Sequence, residues 1–427
     1  MKFENEKLIR NLEDIKTEQS ALNLGFIFLI LFCAVRPILL LNLNIGIAGF
    51  NLLELFAISI SYLLLLAIAA NIKTWKLDFV SIIIIFFCFY CVFSIFWGSK
   101  LKPVSQIILP FVIFFSIRLF IKDQNQISFL LLIIIIAYLI PLFGSFFQIL
   151  QGTSSLVHVE SITGIERYSG LYAGIRPMAN AMFFFSVFFY LKYILFRPEG
   201  RYIRYVLIIM LLISFYCVFK TYSRSIFLGL FIFWAIVLLG FDKKKYFLIF
   251  IILVLSVGLL YQAEIRQIYF KTQEFDVKTA SSGRSFVWEH NIKLFINAYS
   301  FDEKFLGRGL GVVTDGVIGK EWEVWSSHND YLHLLMQLGG IGLFLYLLIH
   351  LAILKEVLYG NIEKKIKYFY IGLISSIIFM NFASGIITFN LPTAQLFWMI
   401  MGFYYTFTIY SETSMDFNKS KLQCSPK

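Results

Sequence analysis

The sequence predicts an all-α, polytopic integral membrane protein, and three observations carry that prediction. Apolar runs of about 20 residues recur along the chain, the length at which a helix crosses a bilayer core. Of the 427 residues, 59% are hydrophobic and only 15% charged, with 49 Phe, and mean hydropathy is +0.78. About twelve spans of about 20 residues use more than half the chain, so no soluble domain of ordinary size is left over.

The first segment, 1–22, is charged in both signs and too long for the n-region of a signal peptide. The apolar run after it contains Arg36-Pro37 and has no small-residue cleavage pattern, which predicts an uncleaved first span. Spans are expected at 23–41, 51–70, 79–97, 104–121, 128–150, 175–195, 203–219, 225–240, 246–262, 334–354, 368–387 and 392–410. With the N-terminus inside, the inner loops and span ends collect fifteen Lys and Arg, among them Lys243, Lys244 and Lys245, against six in the short outer loops. This asymmetry predicts both termini in the cytoplasm. The chain then divides into a cytoplasmic segment 1–22, spans one to nine at 23–262, a long outer loop at 263–333, spans ten to twelve at 334–410 and a cytoplasmic tail at 411–427. The long loop has eight Lys and Arg against ten Asp and Glu, so the net charge of +11 sits on the inner face. Orientation and anionic inner-leaflet lipid account for that charge, and no nucleic-acid partner is implied.

The five cysteines give no second pair beside Cys88 and Cys91 and none in the long loop, so neither a disulfide framework nor a zinc site is expected. Arg36 and Glu54 are ionisable groups within or at the edge of spans, where a functional role is weighed against snorkelling to the interface; Pro37 marks a break in the first span. The outer loop after the fifth span carries Arg167, Arg176 and Asn180, and the eighth span opens at Arg224. Arg284 begins a stretch in which Trp288, Ile292, Phe295, Ile296 and Tyr299 recur at helical spacing, the pattern of a helix lying flat at the interface. GRGLG at 307–311 lacks G-x-G-x-x-G and reads as a tight turn rather than a phosphate loop. His328 and Asn329 stand just before the tenth span, and His333, five residues on, does not share a helical face with His328.

No D-x-D, H-E-x-x-H, G-x-S-x-G or Walker pattern is present, so the sequence points to metal-free, cofactor-free chemistry. Glycosyl transfer from a lipid pyrophosphate fits the groups available. The leaving group gains negative charge, which guanidinium forks can stabilise in place of a metal. The acceptor hydroxyl must lose a proton, a task suited to an imidazole at neutral pH. A transporter or flippase of an anionic lipid-linked sugar would use the same arginines without chemistry, but would also call for ion-coupling residues inside the spans, and few are found.

His328-Asn329, nine residues, then Gly339-Gly340-Ile341-Gly342 resembles the H-N-x9-G-x-x-G signature of the bacterial O-antigen ligase and O-antigen polymerase superfamily. Ser223-Arg224-Ser225, Gly283-Arg284 followed by Trp288, the 307–311 glycines, and Arg167 and Gly170 with Asn180 are similar to its other landmarks; the likeness covers mainly 160–345. One departure is Arg176-Pro177, where asparagine-proline is usual. The resemblance implies a GT-C-like, metal-independent, inverting glycosyltransferase of the bacterial inner membrane, with its long loop in the periplasm. Its donor would be an undecaprenyl-pyrophosphate-linked glycan and its acceptor another glycan or lipid A–core, with other polysaccharide assembly proteins as further partners. By position, His328 would be the base and Arg224 and Arg284 would hold the pyrophosphate, with Arg167, Arg176, Asn180, Asn329 and Trp288 in substrate binding. The Phe-, Ile-, Tyr-, Asn- and Lys-rich usage and the compact outer loop favour a polymerase over a ligase.

Overall fold

The computed structural model describes residues 23–38, 41, 46–47, 50–71, 77–153, 157–159, 166–196, 201–241, 284–314, 324–326, 328–385 and 390–423. Thirteen α-helices are named here: α1 (Asn23–Val35), α2 (Leu52–Ala70), α3 (Phe79–Phe93), α4 (Leu101–Phe120), α5 (Gln124–Gln151), α6 (Ile175–Phe196), α7 (Arg201–Lys220), α8 (Arg224–Leu239), α9 (Arg284–Asn297), α10 (Phe301–Leu306), α11 (Asp330–Tyr359), α12 (Lys364–Ser384) and α13 (Leu391–Gln423). Among the described residues, six helices are long and apolar enough to cross a membrane, and four shorter apolar helices accompany them. The expected span at 246–262, Glu54's side chain and the residues just before Arg284 lie outside the described residues.

Two compact units are present. The first comprises 1–77, 109–140 and 395–427. Its helices approach closely at glycines: a Cβ on Gly25 would lie 2.5 Å from the Phe120 ring, and one on Gly402 would lie 2.8 Å from Ile117. Trp398 packs against Phe111 and Phe114 at centroid distances of 4.5 and 5.8 Å. The expectation that Arg36 could snorkel is corrected here. The side chain is 3% exposed, and its charge acts on Tyr138 within the same unit. The first span is also shorter than 23–41, because α1 stops at Val35 and Arg36-Pro37 continue as a turn. A residue preceding proline is driven out of the helical region, which ends the helix there.

The second unit, 78–108 and 141–394, contains every candidate of the outer loops. Its α8 and α12 pack tightly through small residues: a Cβ on Gly229 would lie 2.5 Å from Met380, and one on Gly372 would lie 3.0 Å from the Phe233 carbonyl. Phe233 and Phe369 meet edge-on at 5.5 Å. Helices α6 and α7 are joined by the Ser214 hydroxyl, which donates to the Met182 carbonyl at 2.7 Å.

Short ladders that the all-α prediction did not contain connect the helices. Val157–Val159 (β3) and Glu166–Tyr168 (β4) pair antiparallel, setting Arg167 opposite His158. Val313–Thr314 (β5) and Val324–Trp325 (β6) pair in parallel. Gly46–Ile47 (β1) and Phe50–Asn51 (β2) form the third pair, in the first unit.

Helix α11 is broken rather than straight. Gly339 has φ 66° and ψ −169°, inside what is otherwise one helix. The carbonyls freed by that break find partners on two neighbouring segments. Met336 O accepts from the Arg308 amide at 3.3 Å and from the Tyr299 hydroxyl at 3.1 Å. Gln337 O accepts from the Gly309 amide at 2.9 Å, and Leu338 O from the Tyr90 hydroxyl at 2.8 Å. The glycines at 307–311 are thus a tight turn, as expected, and the turn is seated on the broken helix. A Cβ at Gly307 would lie 2.2 Å from the Gln337 carbonyl, and one at Gly309 would lie 2.5 Å from the Gly98 backbone.

Candidate active site

The candidate groups sit at helix beginnings. Arg176 is the second residue of α6 and Arg224 the first of α8. Arg284 opens α9, and His328 immediately precedes Asn329, the N-cap of α11. The first turn of a helix carries unpaired amide groups and the positive end of the macrodipole, so a cation there is disfavoured and an anion favoured.

These groups also come together. Arg176 Nη1 lies 3.3 Å from His328 Nδ1. Arg284 donates through Nη1 to the Ala383 carbonyl at the end of α12. Burial, followed by the charges of Arg176 and Arg224, lowers the Arg284 guanidinium to about 10. Burial, followed by Arg176, Arg284 and then His333, holds the His328 imidazole down at about 4. Arg167, on β4, lies near enough for its charge to act on Arg176. Arg224, Arg284 and His328 are half-buried, whereas Arg176 is exposed.

The backbone of His328 is in the left-handed region, with φ 51°, and it is not a glycine. Such a conformation is held only where its surroundings enforce it. Here Asn329 fixes the following helix by accepting from the Leu332 amide at 3.1 Å. Gly385 lies close behind: a Cβ there would come within 3.1 Å of the His328 backbone.

Three of the expected substrate-binding residues have side chains engaged in the framework. Asn329 is 5% exposed and caps α11. Asn180 is 4% exposed and donates to the Thr393 hydroxyl at 3.2 Å. Trp288 packs 5.2 Å from the Phe382 ring and joins a cluster of Leu294, Tyr299, Val324, Leu332 and Met336, which seats α9 on α11. His333 acts on His328 despite the five-residue spacing, because His328 lies outside the helix and its direction is not set by helical periodicity. Among the described residues, no group of three or more His, Cys, Asp or Glu gathers in a metal-binding arrangement.

Residues 209–347 match the model of the O-antigen ligase family. The match spans about a third of the chain and is consistent with membership of the ligase and polymerase superfamily. The matched stretch includes Arg224, Arg284, the 307–311 turn, His328 and the break at Gly339, whereas Arg167, Arg176 and Asn180 precede it. A search of curated proteins returns no match to the chain. The family supports a membrane-embedded, glycosyltransferase-like activity on lipid-linked glycans of the O-antigen and lipopolysaccharide class.

The Arg176–His328 contact was not legible in the sequence, since the residues are 152 positions apart. The helix break carried a weak signal in Gly339-Gly340, a pair that commonly marks a kink.

Proposed function

We propose that this protein is a metal-independent, inverting glycosyltransferase that takes its glycan from an undecaprenyl-pyrophosphate donor on the periplasmic face of the bacterial inner membrane. The reading extends to about twelve spans of about 20 residues each, cytoplasmic termini and a periplasmic 263–333 loop. The observation that carries it is the grouping of Arg176 and Arg284 about His328, with Arg224 acting on Arg284.

Arg224 and Arg284 hold the pyrophosphate. Their guanidinium groups take up the charge that develops as the sugar–phosphate bond breaks, and the helix ends add their own positive potential. His328 removes the acceptor hydroxyl proton as that oxygen attacks the anomeric carbon from the face opposite the leaving group, which inverts the centre. Arg167 and Arg176 contribute to donor binding, whereas Asn180, Asn329 and Trp288 position the helices that bear the reacting groups.

The preferred reaction is polymerisation, in which one repeat unit is joined to another. The ligase reaction, attachment to lipid A–core, is the second reading because the matched family bears that description. A lipopolysaccharide gel of a strain lacking the gene separates them. Core plus one repeat is expected for a polymerase; bare core with long lipid-linked glycan accumulating indicates a ligase. His328→Ala and Arg284→Ala should each abolish glycan extension or attachment while the protein persists in the membrane. Full activity of either variant overturns the role assigned to that residue.

A further inference from the structure

We infer that Arg176 is a lock on the proposed base: its guanidinium covers the one nitrogen lone pair of His328 that could accept a proton, and an arriving pyrophosphate draws it away. The inference rests on the reading of His328 as base, and it adds a positioning role for Arg176 that couples donor binding to deprotonation.

The geometry is restrictive. A guanidinium carries donors only. With Arg176 Nη1 at 3.3 Å from His328 Nδ1, that ring nitrogen must present its lone pair. A neutral ring then carries its proton on Nε2, which has no lone pair to offer. Every route for a proton onto this imidazole therefore runs through the atom that Arg176 covers. Among the described residues, the charges that act on the ring come from Arg176 on α6, Arg284 on α9 and His333 on α11, and the buried Asp330 carboxyl of α11 lies with the His328 backbone against Gly385. Arg176 and Arg284 are cations at neutral pH, and their charges oppose an imidazolium.

Arg176 is also the group best placed to leave. Part of the residue reaches solvent, yet burial and the Arg167 charge already disfavour its charged guanidinium, so an anion is a better partner than the imidazole; Arg284, by comparison, is tied to the Ala383 carbonyl. A phosphate oxygen offers a guanidinium a stronger, charge-assisted acceptor than a neutral imidazole does. Once Arg176 turns to the donor, Nδ1 is open. The acceptor O–H passes its proton to Nδ1, the freed oxygen pair bonds to the anomeric carbon, and the electrons of the sugar–phosphate bond leave on the pyrophosphate oxygen. The imidazolium so formed faces the negative charge of the pyrophosphate as well as the guanidinium groups.

The test is nitrogen NMR of the full-length protein in lipid nanodiscs with isotope-labelled histidine, His328→Gln serving to assign the signal. In the wild-type protein the neutral His328 ring should be the Nε2–H tautomer, and millimolar inorganic pyrophosphate should raise its proton affinity tenfold or more, one pH unit or above. Arg176→Met should give a comparable rise without pyrophosphate, and Arg176→Lys, which keeps a cationic donor, should titrate near the wild type. An Nδ1–H ring in the wild-type protein overturns the lock whatever the variants do. So does a titration that pyrophosphate leaves unmoved, or an Arg176→Met protein that titrates with the wild type. A fully active His328→Ala protein whose wild-type counterpart still shows the pyrophosphate-dependent shift would refute the base while leaving the contact intact. Loss of activity in His328→Ala with no shift would refute the lock and spare the base.

Discussion

His328 combines a strained backbone, a guanidinium on one ring nitrogen and a depressed proton affinity. Its native value of about 4 lies below the ordinary value of 6.5. The unfolded chain therefore binds the extra proton first, so the stability gained by keeping the ring neutral is complete above pH 6.5 and is lost progressively as pH falls toward 4. The same displacement shapes catalysis. The acid limb of kcat/KM reports the free protein and should fall near pH 4, well below an ordinary histidine. The limb of kcat reports the donor-bound protein and should lie at higher pH, because the donor's negative charge offsets the arginines. Initial-rate profiles at low and saturating donor check both. Replacement of His328 by Gln should lower kcat by about 10²- to 10⁴-fold, the usual size of a lost general base, with little change in donor binding.

At the level of elements, the break in α11 and the glycine turn at 307–311 form one assembly. The break shifts Met336, Gln337 and Leu338 carbonyls out of regular pairing, and the turn, Tyr299 and Tyr90 supply donors. Tyr90→Phe removes the hydroxyl donor from Leu338 O and should cost about 1–3 kcal/mol, the penalty of a buried acceptor left unpaired. Gly339→Ala should be worse. The residue has φ 66°, and its Cβ would lie 2.2 Å from the Phe305 carbonyl, which is backbone and cannot rotate away. The left-handed conformation alone costs about 1–2 kcal/mol for a residue with a Cβ. Thermal unfolding in detergent should rank the wild type above Tyr90→Phe and Tyr90→Phe above Gly339→Ala. The element pattern was largely readable in advance, because long apolar runs with charged ends have few folding options in a bilayer. The predicted 175–195 span, for example, became α6 at Ile175–Phe196. The two- and three-residue ladders were not readable, since so few residues carry no periodicity. Nor was the true start of α11 at Asp330, four residues before the predicted 334; Asn329 marks it by capping.

Taken as a whole, the second unit gathers arginines from separate segments at the start of helices, where the proposed function has an anion bind. Inorganic pyrophosphate should therefore raise the thermal stability of the purified wild-type protein. A ligand at 100 times its Kd contributes about 2.7 kcal/mol. Arg284→Gln should lose most of that gain, and high salt should weaken it, as screening of exposed charges requires. A melting temperature indifferent to pyrophosphate in the wild type would count against an anion site.

The sequence by itself determined that this chain is a helical membrane protein, where most helices lie, and that Arg224, Arg284 and His328 share motifs with one superfamily. These follow from hydropathy, charge placement and short patterns, all of which are local. Only the tertiary structure decided that Arg176 touches His328, that Asn180, Asn329 and Trp288 are engaged in the framework, and that the glycine turn completes a broken helix. Those relations join residues tens to hundreds of positions apart. They depend on which side chain reaches which lone pair, and one-dimensional order does not encode that.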